Sequence, residues 1–124
     1  MLRTQPIRRF PRAHSEHPAL VRLLGGPRFE DFARTQTLGL GGCMFVSRAS
    51  LGYGSLMELL IALEGRVVKT DARVVYEHPK GEDRLEVGVE FLRVSATDRA
   101  LIETLVARKR QGNGASRSHD PVPA

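Results

Sequence analysis

The stretch LEVGVEFLRVSATDRALIETLVARKR, residues 85–110, changes its period half-way along, and that change sets the fold. In its first part Leu85, Val87, Val89 and Phe91 alternate with Glu86, Gly88 and Glu90. Apolar residues at every second position line one face of a pleated strand and leave the other face wet. In its second part Leu101, Ile102, Leu105 and Val106 recur at helical spacing. Between the two, Ser95-Ala96-Thr97-Asp98 has the form of a capping box, with Ser95 as N-cap and Asp98 reaching back. Arg108, Lys109 and Arg110 suit the negative end of the helix dipole, and Gly112 reads as the stop. A strand followed by a capped amphipathic helix is therefore expected here.

Upstream, the chain reads as more strands. Val67–Thr70 and Arg73–Tyr76 are rich in β-branched residues, and His78–Asp83, with Pro79 and Gly81, reads as a hairpin loop. Leu56–Leu63 is apolar except for Glu58 and suits a helical turn or a strand; its place between turns at Leu51–Ser55 and Gly65 favours a strand. Cys43–Val46 is a short strand. Leu38-Gly39-Leu40-Gly41-Gly42 reads as a sharp turn or bulge needing positive φ. Phe29–Thr37 and Ala19–Leu24 make two earlier strands around a Gly25-Gly26-Pro27 turn. Phe91, Val89 and Cys43 are expected in the core, as is Tyr76 in preference to a pocket wall. The expected fold is mainly β: a small antiparallel barrel of six or seven strands with a C-terminal helix over one end or face. The organisation is a basic N-terminal arm at 1–13, the barrel and helix at 14–111, and a Gly/Asn/Ser/Pro tail at 112–124 expected to be disordered.

The totals narrow the function classes. At 124 residues one domain is expected. No apolar run approaches the roughly 20 residues of a membrane span, and no apolar segment follows the N-terminal arginines, so neither membrane insertion nor a secretory signal is expected. A lone cysteine, Cys43, excludes an internal disulfide and fits a reducing, cytoplasmic compartment. The net charge of +5 points to an anionic partner.

Catalytic signatures are absent. His14, His17, His78 and His119 do not pair with cysteine or carboxylate at a metal-ligand spacing, no serine sits in a nucleophile elbow, and Gly39–Gly42 lacks the lysine of a phosphate-binding loop. No enzyme, metal or cofactor is expected. A binding module remains, and its most pointed feature is Arg8-Arg9-Phe10-Pro11-Arg12. Three guanidinium forks on a short tether suit a phosphate oxygen pair or a guanine edge, and each can stack on a base. Read alone, the segment is a solvated basic arm sooner than a clamp. Mixed-sequence nucleic acid is disfavoured, because only Phe10 interleaves the N-terminal arginines and no aromatic lies in the C-terminal basic cluster.

Taken together, the pattern resembles the PilZ domain family, bacterial receptors for cyclic di-GMP. Arg8 and Arg12 match the family's RxxxR spacing, Ala72-Arg73-Val74-Val75 and Val87-Gly88-Val89-Glu90-Phe91 match two of its strands, and Asp98-Arg99 fits its helix start. The resemblance runs from Arg8 to about Lys109. It implies cyclic di-GMP as ligand, a short barrel, a site at Arg8, Arg9, Arg12, Thr37, Gly39, Gly42 and Arg73, and relay of the signal to a partner protein, from a monomer or a dimer. The second family motif, [D/N]xSxxG, falls on Thr37-Leu38-Gly39-Leu40-Gly41-Gly42 and departs from the pattern. Threonine cannot accept a bidentate pair from guanine, and Gly39 has no hydroxyl; the two losses together are worth roughly 2–4 kcal/mol, or about 30- to 1000-fold in affinity. Arg9 and Arg73 are candidates to compensate. The departures also open an alternative: a degenerate PilZ adaptor that works by protein contact without the nucleotide.

Overall fold

A computed structural model describes residues 12–25 and 28–119, the last eight as backbone only. Seven strands and one helix follow in order: β1 (Arg12–His14), β2 (Pro18–Leu23), β3 (Glu30–Gly39), β4 (Gly42–Ser47), β5 (Leu56–Leu63), β6 (Arg66–Pro79), β7 (Leu85–Arg93) and α1 (Ala96–His119). All pairings are antiparallel. Strands β2, β5, β6, β7, β4 and β3 pair in a ring that closes through β3–β4, and β1 adds to the free part of the β3 edge. A closed ring has no bare edge to template aggregation.

The period-two reading of residues 85–91 holds. Val87 and Val89 are fully buried, Leu85 and Phe91 pack partly against the core, and Glu86, Gly88 and Glu90 face out. Leu56–Leu63 is a strand, with Met57, Leu59, Ile61 and Leu63 inside. It joins β6 through Glu64 (φ 48°) and Gly65 (φ 80°), two left-handed residues between the paired Leu63 and Arg66. That is the two-residue hairpin whose twist suits right-twisted strands. The two strand segments expected at 67–76 form one fourteen-residue strand, bent by register shifts at Asp71/Ala72 and Val74/Tyr76.

Four expectations are corrected. The Gly39–Gly42 turn uses no left-handed residue: among the described residues the positive-φ glycines are Gly25, Gly52, Gly54, Gly65 and Gly81. Gly42 is needed for another reason, since a Cβ there would lie 2.0 Å from the Val89 carbonyl oxygen. Tyr76 is not in the core; the shift at Val74/Tyr76 turns its ring outward over Gly88, where an added Cβ would meet the ring at 2.1 Å. At the helix start Ser95 Oγ accepts from Asp98 N at 3.1 Å, but the Asp98 carboxylate turns to Arg66 at 2.8 Å instead of closing the box. Finally, α1 runs through Gly112 to His119. An interior glycine costs a helix only about 1 kcal/mol, which does not force an end.

Helix α1 buries Ile102, Leu105 and Val106 and packs against β1 and β3. It is pinned at one end by Arg66–Asp98 and further along by Arg108–Glu64 at 2.9 Å. These links are solvent-exposed and worth less than the apolar contact.

Candidate functional site

Strands β1 and β2 lie end to end along one edge of β3. Arg12, Ala13 and His14 stand opposite Gly39, Leu38 and Thr37, and Pro18–Arg22 stand opposite Arg34–Glu30. The chain crosses between them at 15–17 on a buried hydroxyl. Thr35 Oγ1 donates to the Ser15 carbonyl at 2.7 Å and accepts from His17 N at 2.9 Å. Ser15 N bonds Gln36 O and Thr35 N bonds His17 O on either side, and the Ser15 hydroxyl meets the His17 ring. Burial lowers the pKa of His17, with Lys109 on α1 acting in the same direction, Glu64 opposing, and Arg34 adding a smaller push down.

This crossing fixes where Arg12 goes. Ala13 is buried, so its neighbours Arg12 and His14 face outward. Arg12 therefore stands beside Gly39, and His14 beside Thr37. Leu38 is fully buried, which leaves Thr37 and Gly39 on the same outer face as Arg12. Three of the residues expected at the site, Arg12, Thr37 and Gly39, are thus brought together on one edge. The two arginines Arg8 and Arg9 lie outside the described residues.

The other two expected residues continue the same row, beyond the β3–β4 turn that joins Gly39 to Gly42. Gly42 is opposite Glu90 on β7, and Glu90 is opposite Arg73 on β6. Arg73 Nε donates to Glu90 at 3.0 Å, with a second bond from its Nη2. The arginine is therefore committed to a carboxylate, although the pair is exposed and weakly held. Gly42 touches the β7 backbone so closely that its lack of a side chain serves strand packing itself. Behind the edge, Cys43 is fully buried; burial pushes its thiol up to about 12, with Arg12 pulling weakly the other way. It is packing material, inert as a nucleophile.

Sequence reasoning did not pick out the outer row that runs beside these positions. His14, Thr37, Met44, Gly88 and Tyr76 stand opposite one another across β1, β3, β4, β7 and β6. Tyr76 stacks on His78 with ring centroids 4.7 Å apart. An aromatic plane over a glycine on an open barrel face offers a stacking surface. The signal was present as an outward Tyr-x-His opposite an outward Gly, but the bulge that turns Tyr76 outward is not readable from the residues. Nor did it single out Arg34, Arg48 and Arg84, which stand near the same row.

The model of the PilZ domain family matches residues 6–108, most of the chain. The chain belongs to the PilZ domain family. Solved PilZ structures share its fold. The Bacillus subtilis inhibitor of motility MotI/DgrA superposes with a TM-score of 0.74 at 20% identity, covering 88% of this chain and 53% of that one. The PilZ domain of Escherichia coli YcgR, solved with c-di-GMP, gives 0.62 at 19% identity over 93% and 98%. Apo MrkH from K. pneumonia gives 0.72 at 15% identity over 92% and 53%. This chain spans about half the length of MotI and MrkH. No curated protein sequence matches it. In family terms, the PilZ barrel here is the six-strand ring, and the segment carrying RxxxR enters it through β1.

Proposed function

We propose that this chain is a cyclic di-GMP receptor whose ligand is held at the β1–β3 edge and whose bound state is relayed to a partner protein. The observation that carries this reading is the pairing of Arg12 with Gly39. It seats the second arginine of RxxxR beside the degenerate [D/N]xSxxG segment, with Thr37 on the same face. Arg8 is four residues away, a span of at most about 14 Å, so both guanidinium groups reach a ligand on this edge. Arg12 takes a phosphate, Arg8 and Arg9 close over the bases, and Thr37 supplies a single hydroxyl in place of a carboxylate. Arg73 can join only by leaving Glu90.

Relay follows from what β1 touches. Strand β1 and helix α1 are in contact, and Arg110 Nη1 lies 3.5 Å from the Arg12 carbonyl. Ligand held against β1 bears on the helix at that point, and a partner that reads the helix reads the ligand. The adaptor reading, without nucleotide, rests on Thr37 and Gly39 alone.

Thermal unfolding with added ligand tests the reading. Cyclic di-GMP should raise the melting temperature in a concentration-dependent way, GMP should not, and Arg8→Ala/Arg12→Ala should lose the shift. A wild-type protein indifferent to saturating cyclic di-GMP would leave the adaptor reading in its place.

A further inference from the structure

Four arginines of the barrel and helix are matched by acids. Arg22 pairs with Glu30 and Glu58, Arg66 with Asp98, Arg73 with Glu90 and Arg108 with Glu64. Among the described residues, one region gathers several arginines without an acid partner around a single hollow. An open groove of about 580 Å³ is lined by Arg34, Gln36, Val46, Arg48, Lys80 and Arg84. Lys80 leans on Glu86 at 3.4 Å, and the three arginines form no ion pair among the described residues. Four like charges around one hollow repel one another, and an anion in the groove relieves that repulsion. Guanidinium forks match phosphate oxygens in pairs, and the volume falls within the range of roughly 300–1,000 Å³ usual for small-ligand sites.

The groove is contiguous with the motif edge. Gln36 lines it and is followed by Thr37, while outward Met44 stands opposite Thr37. The next outward residue on β4, Val46, is in the groove wall, about 7 Å further along the strand. We propose that this groove is a phosphate-binding site and that, on the receptor reading above, its occupant is a phosphate of the cyclic dinucleotide held at the motif edge. Arg34, Arg48 and Arg84 then supply phosphate contacts that offset the guanine acceptor and the hydroxyl lost at Thr37 and Gly39.

The test is a pair of titrations followed by arginine Nε–Hε NMR signals and by calorimetry, on wild type and on Arg34→Gln/Arg84→Gln, with thermal melts to show that the variant is folded. Cyclic di-GMP should shift the Arg34, Arg48 and Arg84 signals, and the double variant should bind it about tenfold or more weakly. Nucleotide binding that is unchanged in the variant, with silent groove signals, overturns the groove as a subsite and leaves the receptor reading standing. If the wild type binds no nucleotide, the receptor reading fails, and inorganic pyrophosphate decides the groove by itself. Saturable shifts of the three arginines that are lost in the variant keep it as a phosphate site; their absence overturns it.

Discussion

Thr37 is the residue on which ligand strength turns. A carboxylate there would accept two donors from guanine where the hydroxyl accepts one, so Thr37→Asp should tighten cyclic di-GMP binding by about tenfold or more, read by calorimetry. An unchanged affinity would mean that the guanine is not read at this position. Thr35, two residues away and facing inward, has a different task. Its one hydroxyl serves both the Ser15 carbonyl and the His17 amide. Thr35→Val leaves both buried groups without a partner and should cost about 1–3 kcal/mol in denaturant unfolding. Gly42→Ala should cost at least as much, because the atom 2.0 Å from the new Cβ is a backbone oxygen that cannot swing aside. His17 adds a pH dependence. Its folded pKa lies below 6.5, so the unfolded chain takes up the proton first. The stability it contributes is fully present above that value and is lost as pH falls below it. Melting temperature should therefore drop between roughly pH 7 and pH 5, and His17→Gln should flatten the drop.

At the scale of elements, strands with clear alternation and the capped helix were legible, because burial acts on them with a fixed period. Val87 and Val89 inside with Glu86 and Glu90 outside needs no tertiary information. Strand β1 was not legible. Three residues, Arg12–His14, carry no period, and what makes them a strand is the β3 edge left free beyond Arg34, supplied by residues far along the chain. The site suffers the same limit: Arg12 and Thr37 were legible as motif residues, whereas their meeting depends on the Thr35 crossing. Tyr76 and the Arg34–Arg48–Arg84 groove depend on register and on a bulge, neither of which a residue pattern states. The helix is docked by three buried side chains, so Ile102→Ala should lower stability by about 2–5 kcal/mol. Because the same face touches β1, the variant should also weaken the coupling between ligand and helix, seen as a smaller ligand-induced change in hydrogen exchange of α1.

Across the whole molecule, a closed ring of strands carries Arg12 on the added strand β1 and a positive surface beside the motif edge. The net charge of +5 and the unpaired groove arginines imply that binding of a dianionic ligand weakens as salt rises. The measurement that bears most directly on the account is calorimetric titration of cyclic di-GMP into the wild type and the Arg8→Ala/Arg12→Ala variant at about 0.15 M salt. Saturable heat in the wild type that vanishes in the folded variant is the predicted result. A wild type that gives no heat, or a variant that binds as the wild type does, would contradict it.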